Sequence, residues 1–304
     1  MQTTTLVSNV LLAGLIAGMA GTVELQTFRN RMTNTKAVGM GLVSQFGLLP
    51  LLGFVCAKVL KLDPVAAVAL IITTTCPGGG FSGLFCSLCN ADLALSVAMT
   101  TASSLVCAAF MPLNVALYAG SFVPVPKFEL LVSSLIVLMA VVFGLTLSQR
   151  RPGWRRNLNK FGSACGIINI FVAMASSGGS DKPFWDHSPS FLVSIGAPCL
   201  AGLVIAFGVS RLLHISPPQA VAISIECCYQ NTALALSICT SVFQGKQAAY
   251  AVSIPLIYGM AEPLFIAPFC VWAWKMGFTY CHPKATIERW LLGNWQPQVT
   301  QAML

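Results

Sequence analysis

CPGGGFSGLF, residues Cys76 to Phe85, sits between two apolar runs, VAAVALIITT (65–74) and LALSVAMTTASSLVCAAF (93–110). A proline and three glycines in a row stop a helix, and here they interrupt what the surroundings mark as a membrane span. Backbone broken in hydrocarbon finds no water to satisfy it. The break therefore needs a reason, and the rest of the chain has to supply it.

The chain has 304 residues, 56% hydrophobic and 9% charged, against roughly 25% charged in ordinary soluble domains. Most of it cannot face water, so the composition predicts a polytopic membrane protein. No composition shift or long polar linker marks a second domain, and residues 1–304 read as one transmembrane unit. Lys plus Arg number 17 and Asp plus Glu 9, a net charge of +8. In a soluble protein that excess would raise the question of nucleic acid; here it fits basic cytoplasmic loops such as QRRPGWRRNLNK, Gln149 to Lys160. The 12 cysteines lie mainly inside apolar segments, as small buried residues do, which argues against a disulfide framework. Cys86 and Cys89 in CSLC have no histidine or second cysteine pair at zinc-like spacing. The first apolar run, 6–21, follows MQTTT rather than a basic region and reads as a retained span, not a signal peptide.

Crossing the hydrocarbon takes about 20 apolar residues. That window predicts an all-α protein of nine transmembrane helices near 5–24, 36–60, 64–90, 92–119, 127–148, 159–178, 189–213, 216–243 and 247–277. With the amino terminus outside, the inward loops and tail hold Arg29, Arg31, Lys36, Arg150, Arg151, Arg155, Arg156, Lys160, Arg211, Lys275, Lys284 and Arg289, 12 of the 17 basic residues. Lys58, Lys61, Lys127, Lys182 and Lys246 stay outside. The asymmetry favours an external amino terminus and a cytoplasmic tail. The segment SSGGSDKPFWDHSPS (176–190) is then an external loop.

The third and eighth spans are the odd ones. The eighth carries SIECCYQNTALAL, in which Glu226, Gln230 and Asn231 stand where a lipid-facing helix would have leucine. An ionised carboxylate at that depth costs several kcal/mol unless compensated. No histidine lies in a predicted span and the basic residues cluster at ends and loops, so a bound cation is its natural partner. The third and eighth spans are five apart in order, an odd number, so they run in opposite directions. Two interrupted antiparallel helices suggest an inverted repeat, the secondary-transporter pattern in which freed carbonyls near the midplane hold coupling ions and substrate. Ser96 and Thr100 are i, i+4 on one face of the fourth span. Oxygen donors of this kind suit a hard, small cation such as sodium. Taken alone, such hydroxyls more often bond back to their own helix, and Gln45 could simply bridge two helices. Glu262, in YGMAEPLFIAP, is a second intramembrane acid for which a structural partner is an equal alternative, because Pro263 frees local backbone groups.

The chain resembles the bile acid:sodium symporter family. The likeness runs from TVELQTFRNRMTNTKAVGMGLVSQFGLLPL (22–51), through CPGGGFSGLF and LALSVAMTTASSL with MPLNVALY, to IECCYQNTALALS, and covers nearly the whole chain. The resemblance implies a helical bundle with a core (about 36–119 and 189–277), in which two discontinuous helices cross, and a mobile panel (about 5–24, 127–148 and 159–178). It implies a first sodium site of Ser82, Ser96, Thr100 and Glu226. A second would use Gln45, Glu226 and Gln230 with the backbone carbonyls of Cys227 and Tyr229. Substrate would be recognised by Asn231 and by the first break, Thr75 to Gly80, with Gly79 and Gly80 at its centre. Two departures stand out. Gly83 follows Ser82 where the family usually has asparagine, which removes a side-chain carbonyl from the first site. ECCYQN also carries Cys227 and Cys228 where small residues are commoner, as cavity lining or as packing.

The expected function is sodium-coupled symport of organic anions, with bile-acid-like steroid conjugates first and small carboxylates such as pantoate or pyruvate next. The implied partners are the anion, Na+ as coupling ion and the lipid bilayer, with no nucleic acid and with room for a homodimer; the plasma membrane is the favoured location. An uncoupled channel or exchanger could use the same polar breaks. An intramembrane enzyme is disfavoured, since His187, His214 and His282 all lie at loops or ends and assemble no catalytic constellation.

Overall fold

The computed structural model describes residues 2–22, 29, 32–122, 127–181, 183–293 and 295. Arg31, Lys182, the end of the first expected span (23–24) and part of the 22–51 motif lie outside the described residues.

Among the described residues the protein is helical without a sheet. In chain order the helices are α1 (Gln2–Ala20), α2 (Thr35–Val59), α3 (Pro64–Thr74), α4 (Ser82–Cys89), α5 (Leu93–Tyr118), α6 (Lys127–Arg150), α7 (Arg155–Ser177), α8 (Pro189–Leu212), α9 (Pro217–Cys228), α10 (Thr232–Val242), α11 (Gly245–Ala251), α12 (Ser253–Lys275) and α13 (Ile287–Leu292). Five stretches are long and apolar enough to cross a membrane: Thr35–Val59, Leu93–Ser121, Pro152–Ser177, Pro189–Leu212 and Gly245–Lys275. Shorter apolar helices cover Asn9–Ala20, Pro64–Thr74, Leu135–Arg150 and Thr232–Val242. The expected third and eighth spans each appear as two short helices because PGGG and the YQN tripeptide stop them, leaving α3 and α4 on one side and α9 and α10 on the other. These features make the protein an integral multi-pass membrane protein.

Burial sorts the helices. Every residue of α3 from Ala66 to Thr74 and of α9 from Ala220 to Cys228 is buried. Helices apolar all round belong in the middle of a bundle, and these two half-helices lie there. The amino ends of α3 and α5 are fixed locally. Asp63 caps α3 by accepting from the Val65 and Ala66 N–H groups, each at 3.1 Å, and its other oxygen accepts from the Tyr250 hydroxyl at 2.6 Å, which ties α3 to α11. Asp92 caps α5 through the Leu95 N–H at 2.9 Å.

α4 is held at its far end by the carboxyl-terminal segment. Asn90 ends α4 in the left-handed region (φ 59°), and its side chain donates to the Trp290 carbonyl at 2.7 Å. The Tyr280 N–H donates to the Asn90 carbonyl at 2.9 Å, and Trp290 stacks on Trp274 with ring centroids 4.7 Å apart.

α1 packs against α6 and α7. Gly14 and Gly18 on α1 and Gly162 and Gly166 on α7 are each spaced by four, the small-residue spacing that lets membrane helices approach closely. A Cβ on Gly18 would collide with the Gly162 Cα and the Leu158 carbonyl, whereas one on Gly39 meets nothing within 4 Å. Gly18→Leu is therefore expected to lower the melting midpoint of the purified protein, in line with an overpacking cost of about 1–3 kcal/mol. Gly39→Ala should leave it within error, and equal midpoints for the two variants would show that α1 and α7 do not depend on that contact.

Candidate functional site

The two breaks meet. Thr75 to Phe81 separates α3 from α4, Tyr229 to Asn231 separates α9 from α10, and Gly78 faces Gln230 in an antiparallel bridge. The Gly79 N–H donates to the Tyr229 carbonyl and the Asn231 N–H to the Pro77 carbonyl, both at 2.9 Å. Each interrupted helix thus satisfies backbone groups freed in the other, which is what broken chain at membrane depth requires. A third N–H, that of Gly78, donates to the Ser103 hydroxyl at 3.2 Å.

Glu226 reaches this junction from the last turn of α9 and is 2% exposed. It accepts from the Thr100 hydroxyl at 2.6 Å and from the Ser96 hydroxyl at 3.1 Å. The Ser82 hydroxyl lies 3.3 Å from that of Thr100 and donates to the Gly79 carbonyl at 2.9 Å. Gly78 has to be glycine because a Cβ there would fall inside the Glu226 carboxylate. Ser82, Ser96, Thr100 and Glu226, drawn from α4, α5 and α9, are therefore brought together. Thr100 Oγ1 also lies 3.0 Å from the Ser96 carbonyl, so its single O–H is shared between the acid and its own helix. Among the described residues no Lys, Arg or His forms an ion pair with Glu226; the exposed Lys246 and Asp181 pair with each other at 2.7 Å.

A second polar cluster adjoins it. Gln45 sits in a single π-helical turn, Ser44–Leu48, inside α2; such widened turns recur at functional sites. Its Nε2 donates to the Gln230 Oε1 at 2.8 Å and to the Cys76 carbonyl at 2.7 Å, while its Oε1 is buried without a hydrogen-bond partner. Gln230 Nε2 in turn donates to the Cys227 carbonyl at 2.8 Å. The Tyr229 carbonyl already accepts from Gly79, and a carbonyl has a second lone pair to offer. All of these groups present oxygen, and an orphaned buried acceptor suits a small hard cation.

Two cavities of about 120 and 110 Å³ flank the first break. Met19, Gly80 and Asn159 line both; Thr100 and Gly83 line the first, Gly79 and Asn231 the second. Asn231 caps α10 through the Leu234 N–H at 3.0 Å and leaves its Nδ2 buried without a partner. Thr75 lies outside both linings, because its hydroxyl donates to the Ile72 carbonyl of its own helix at 2.9 Å. Cys227 and Cys228 also face away: the Cys227 thiol donates to the Ser44 carbonyl at 3.4 Å, and that of Cys228 contacts the Cys199 thiol. Among the described residues no three His, Cys, Asp or Glu side chains gather as a metal site, and the Cys89 thiol bonds back to the Cys86 carbonyl and contacts the Cys270 thiol.

Sequence reasoning missed Ser103, Met19 and Asn159. Ser103 was findable, since it lies three residues after Thr100 and seven after Ser96, on the same helix face. Nothing in the α7 amino end marks Asn159.

Comparison with known proteins agrees with this architecture. The chain is 28% identical over 287 residues to the ileal sodium/bile acid cotransporter of Oryctolagus cuniculus, covering 93% of this chain and 82% of that one. It is 27% identical over 263 residues to the sodium-dependent organic anion transporter of Homo sapiens (85% and 70% covered), and 29% identical over 248 residues to the P3 protein of Bos taurus (79% and 51%). Residues 9–180, more than half of the chain, match the model of the sodium bile acid symporter family. The chain belongs to that family, whose members are transporters and not enzymes.

Proposed function

We propose that the protein is a sodium-coupled symporter of organic anions working by alternating access. The observation that carries this reading is Glu226: a carboxylate 2% exposed at the junction of two broken helices, contacted by hydroxyls and by no base among the described residues. A sodium ion beside it would supply the missing charge, held by Ser82, Ser96, Thr100 and Glu226. A second ion would use Gln45, Gln230 and the Cys227 and Tyr229 carbonyls with the same acid, and the partnerless Gln45 Oε1 favours it.

In this reading the chain crosses the plasma membrane nine times, the third and eighth crossings being the α3–α4 and α9–α10 pairs in opposite directions, with the amino terminus outside. α1, α6 and α7, which pack together, would form the panel, and the remaining spans the core. The cavities lie where α1 and α7 face the breaks, so a substrate there would be released by relative movement of the two units. Neutral donors, chiefly the free Asn231 Nδ2 and the break backbone, would take the anionic group, with the positive amino ends of α4 and α10 favouring negative charge.

Bile-acid-like conjugates are the first substrate class, by kinship with the ileal cotransporter. Small carboxylates are the second, and cavity size favours them, since about 120 Å³ falls below the roughly 300–1,000 Å³ of common ligand pockets. Uptake of taurocholate and of pantoate into proteoliposomes, with and without a sodium gradient, tests coupling and substrate together; equal accumulation in both conditions ends the symport reading. Reciprocity separates a carrier from a channel, because substrate affinity must rise with sodium by the same factor as sodium affinity rises with substrate.

Glu226→Gln keeps the shape and removes the charge. It is expected to abolish sodium-driven uptake and weaken sodium binding at least about tenfold, the factor corresponding to 1.4 kcal/mol, while the protein still inserts and purifies normally. Gly83→Asn probes the departure at the first site. A Cβ there would meet only Leu93 at 3.6 Å and Val97 at 4.0 Å, so the larger side chain has room. Sodium affinity or the Hill coefficient for uptake should rise; unchanged values would mean that the missing amide is not a limiting ligand.

A further inference from the structure

Glu262 of α12 is a second buried carboxylate, 1% exposed, that the sites above do not use. One of its oxygens accepts from the Gln230 N–H at 2.7 Å, directly at the second break. Its titratable neighbours among the described residues are the thiols of Cys76, Cys199 and Cys228 and the phenols of Tyr229 and Tyr258, with no Lys, Arg or His. One turn earlier on the same face of α12, Tyr258 is fully buried, and its hydroxyl reaches no nearer to a partner than 3.5 Å, the Cys228 carbonyl. That carbonyl closes α9 and receives one other long contact, the Cys199 thiol at 4.0 Å. The carbonyl end of a helix carries partial negative charge. An acid with a single backbone donor, and a phenol 3.5 Å from a helix-end carbonyl, therefore lie beside the second break with surplus negative charge and no base among the described residues.

We propose that Glu262, the Tyr258 hydroxyl and the Cys228 carbonyl form a further alkali-cation site, separate from the ions assigned to Glu226. One carboxylate supplies a single negative charge, which balances a monovalent ion, and the phenol and carbonyl add neutral oxygens of the kind a hard cation takes. Because Glu262 also holds the Gln230 N–H, an ion there would stiffen the backbone of the second break at Gln230. The proposal rests on the sodium-coupled reading above and adds one ion to it.

Equilibrium dialysis of radioactive sodium against the purified protein at fixed pH measures bound ions directly, without uptake. Glu262→Gln should bind one sodium fewer at saturation than the wild type, and Tyr258→Phe should keep the number but bind the ion at Glu262 about tenfold less tightly. Glu226→Gln should lose its own ions and retain that of Glu262. Full sodium stoichiometry in Glu262→Gln overturns the proposal, including the case in which only the pH dependence of binding changes, since the group would then carry a proton. If Glu262→Gln does not purify as a monodisperse protein, Tyr258→Phe decides, and unaltered sodium affinity overturns the site. Equal sodium binding by wild type and Glu226→Gln would instead strike the reading of Glu226 and leave Glu262 standing, whereas a wild type that binds no sodium overturns both.

Discussion

An acid enclosed by hydroxyls and a glycine, with no base beside it among the described residues, is the constraint around which the protein is arranged. Removing a carboxylate from water costs several kcal/mol even after relaxation, and the Thr100 and Ser96 bonds to Glu226 return only part of that. The remainder explains why the neighbouring chain is so specialised. Gly78 gives up its side chain so that the carboxylate fits, and α9, which carries the acid, is buried on every side from Ala220 onward.

The backbone answers a parallel problem. Stopping two helices inside an apolar core exposes N–H and carbonyl groups that apolar side chains cannot bond, and the reciprocal Gly79–Tyr229 and Pro77–Asn231 hydrogen bonds close much of that gap. Among the buried side-chain atoms left without partners are the Gln45 Oε1 and the Asn231 Nδ2, an acceptor in the π turn and a donor beside a cavity. Buried polar atoms without partners are rare in native structures. One of each sign at a single junction fits a site that takes a cation and an anion together.

Much of this could be read from the residues alone, for physical reasons that differ by feature. The helix positions follow from hydrophobic length, and the breaks from proline and glycine chemistry. The Ser96–Thr100 face follows from helical periodicity, and it does meet Glu226. Thr75 shows where motif reading stops: a threonine in the last turn of a helix can reach back to a carbonyl, and Thr75 does so at Ile72 rather than facing a cavity. The π turn at Gln45 left no trace, since SQFGL holds no strong helix breaker. The cavity lining was equally hidden, because Met19 and Asn159 come from helices far from the motif and converge only through the α1–α7 glycine contact.

α4 is eight residues long and anchored at both ends, by Ser82 against Thr100 and by Asn90 against Trp290. Two helical turns are too short to bend, so it behaves as a strut. Displacement of the segment that holds Trp290 would be handed along it to the hydroxyl beside the acid. In the proposed reading the carboxyl-terminal segment is in this sense a lever on the first ion position.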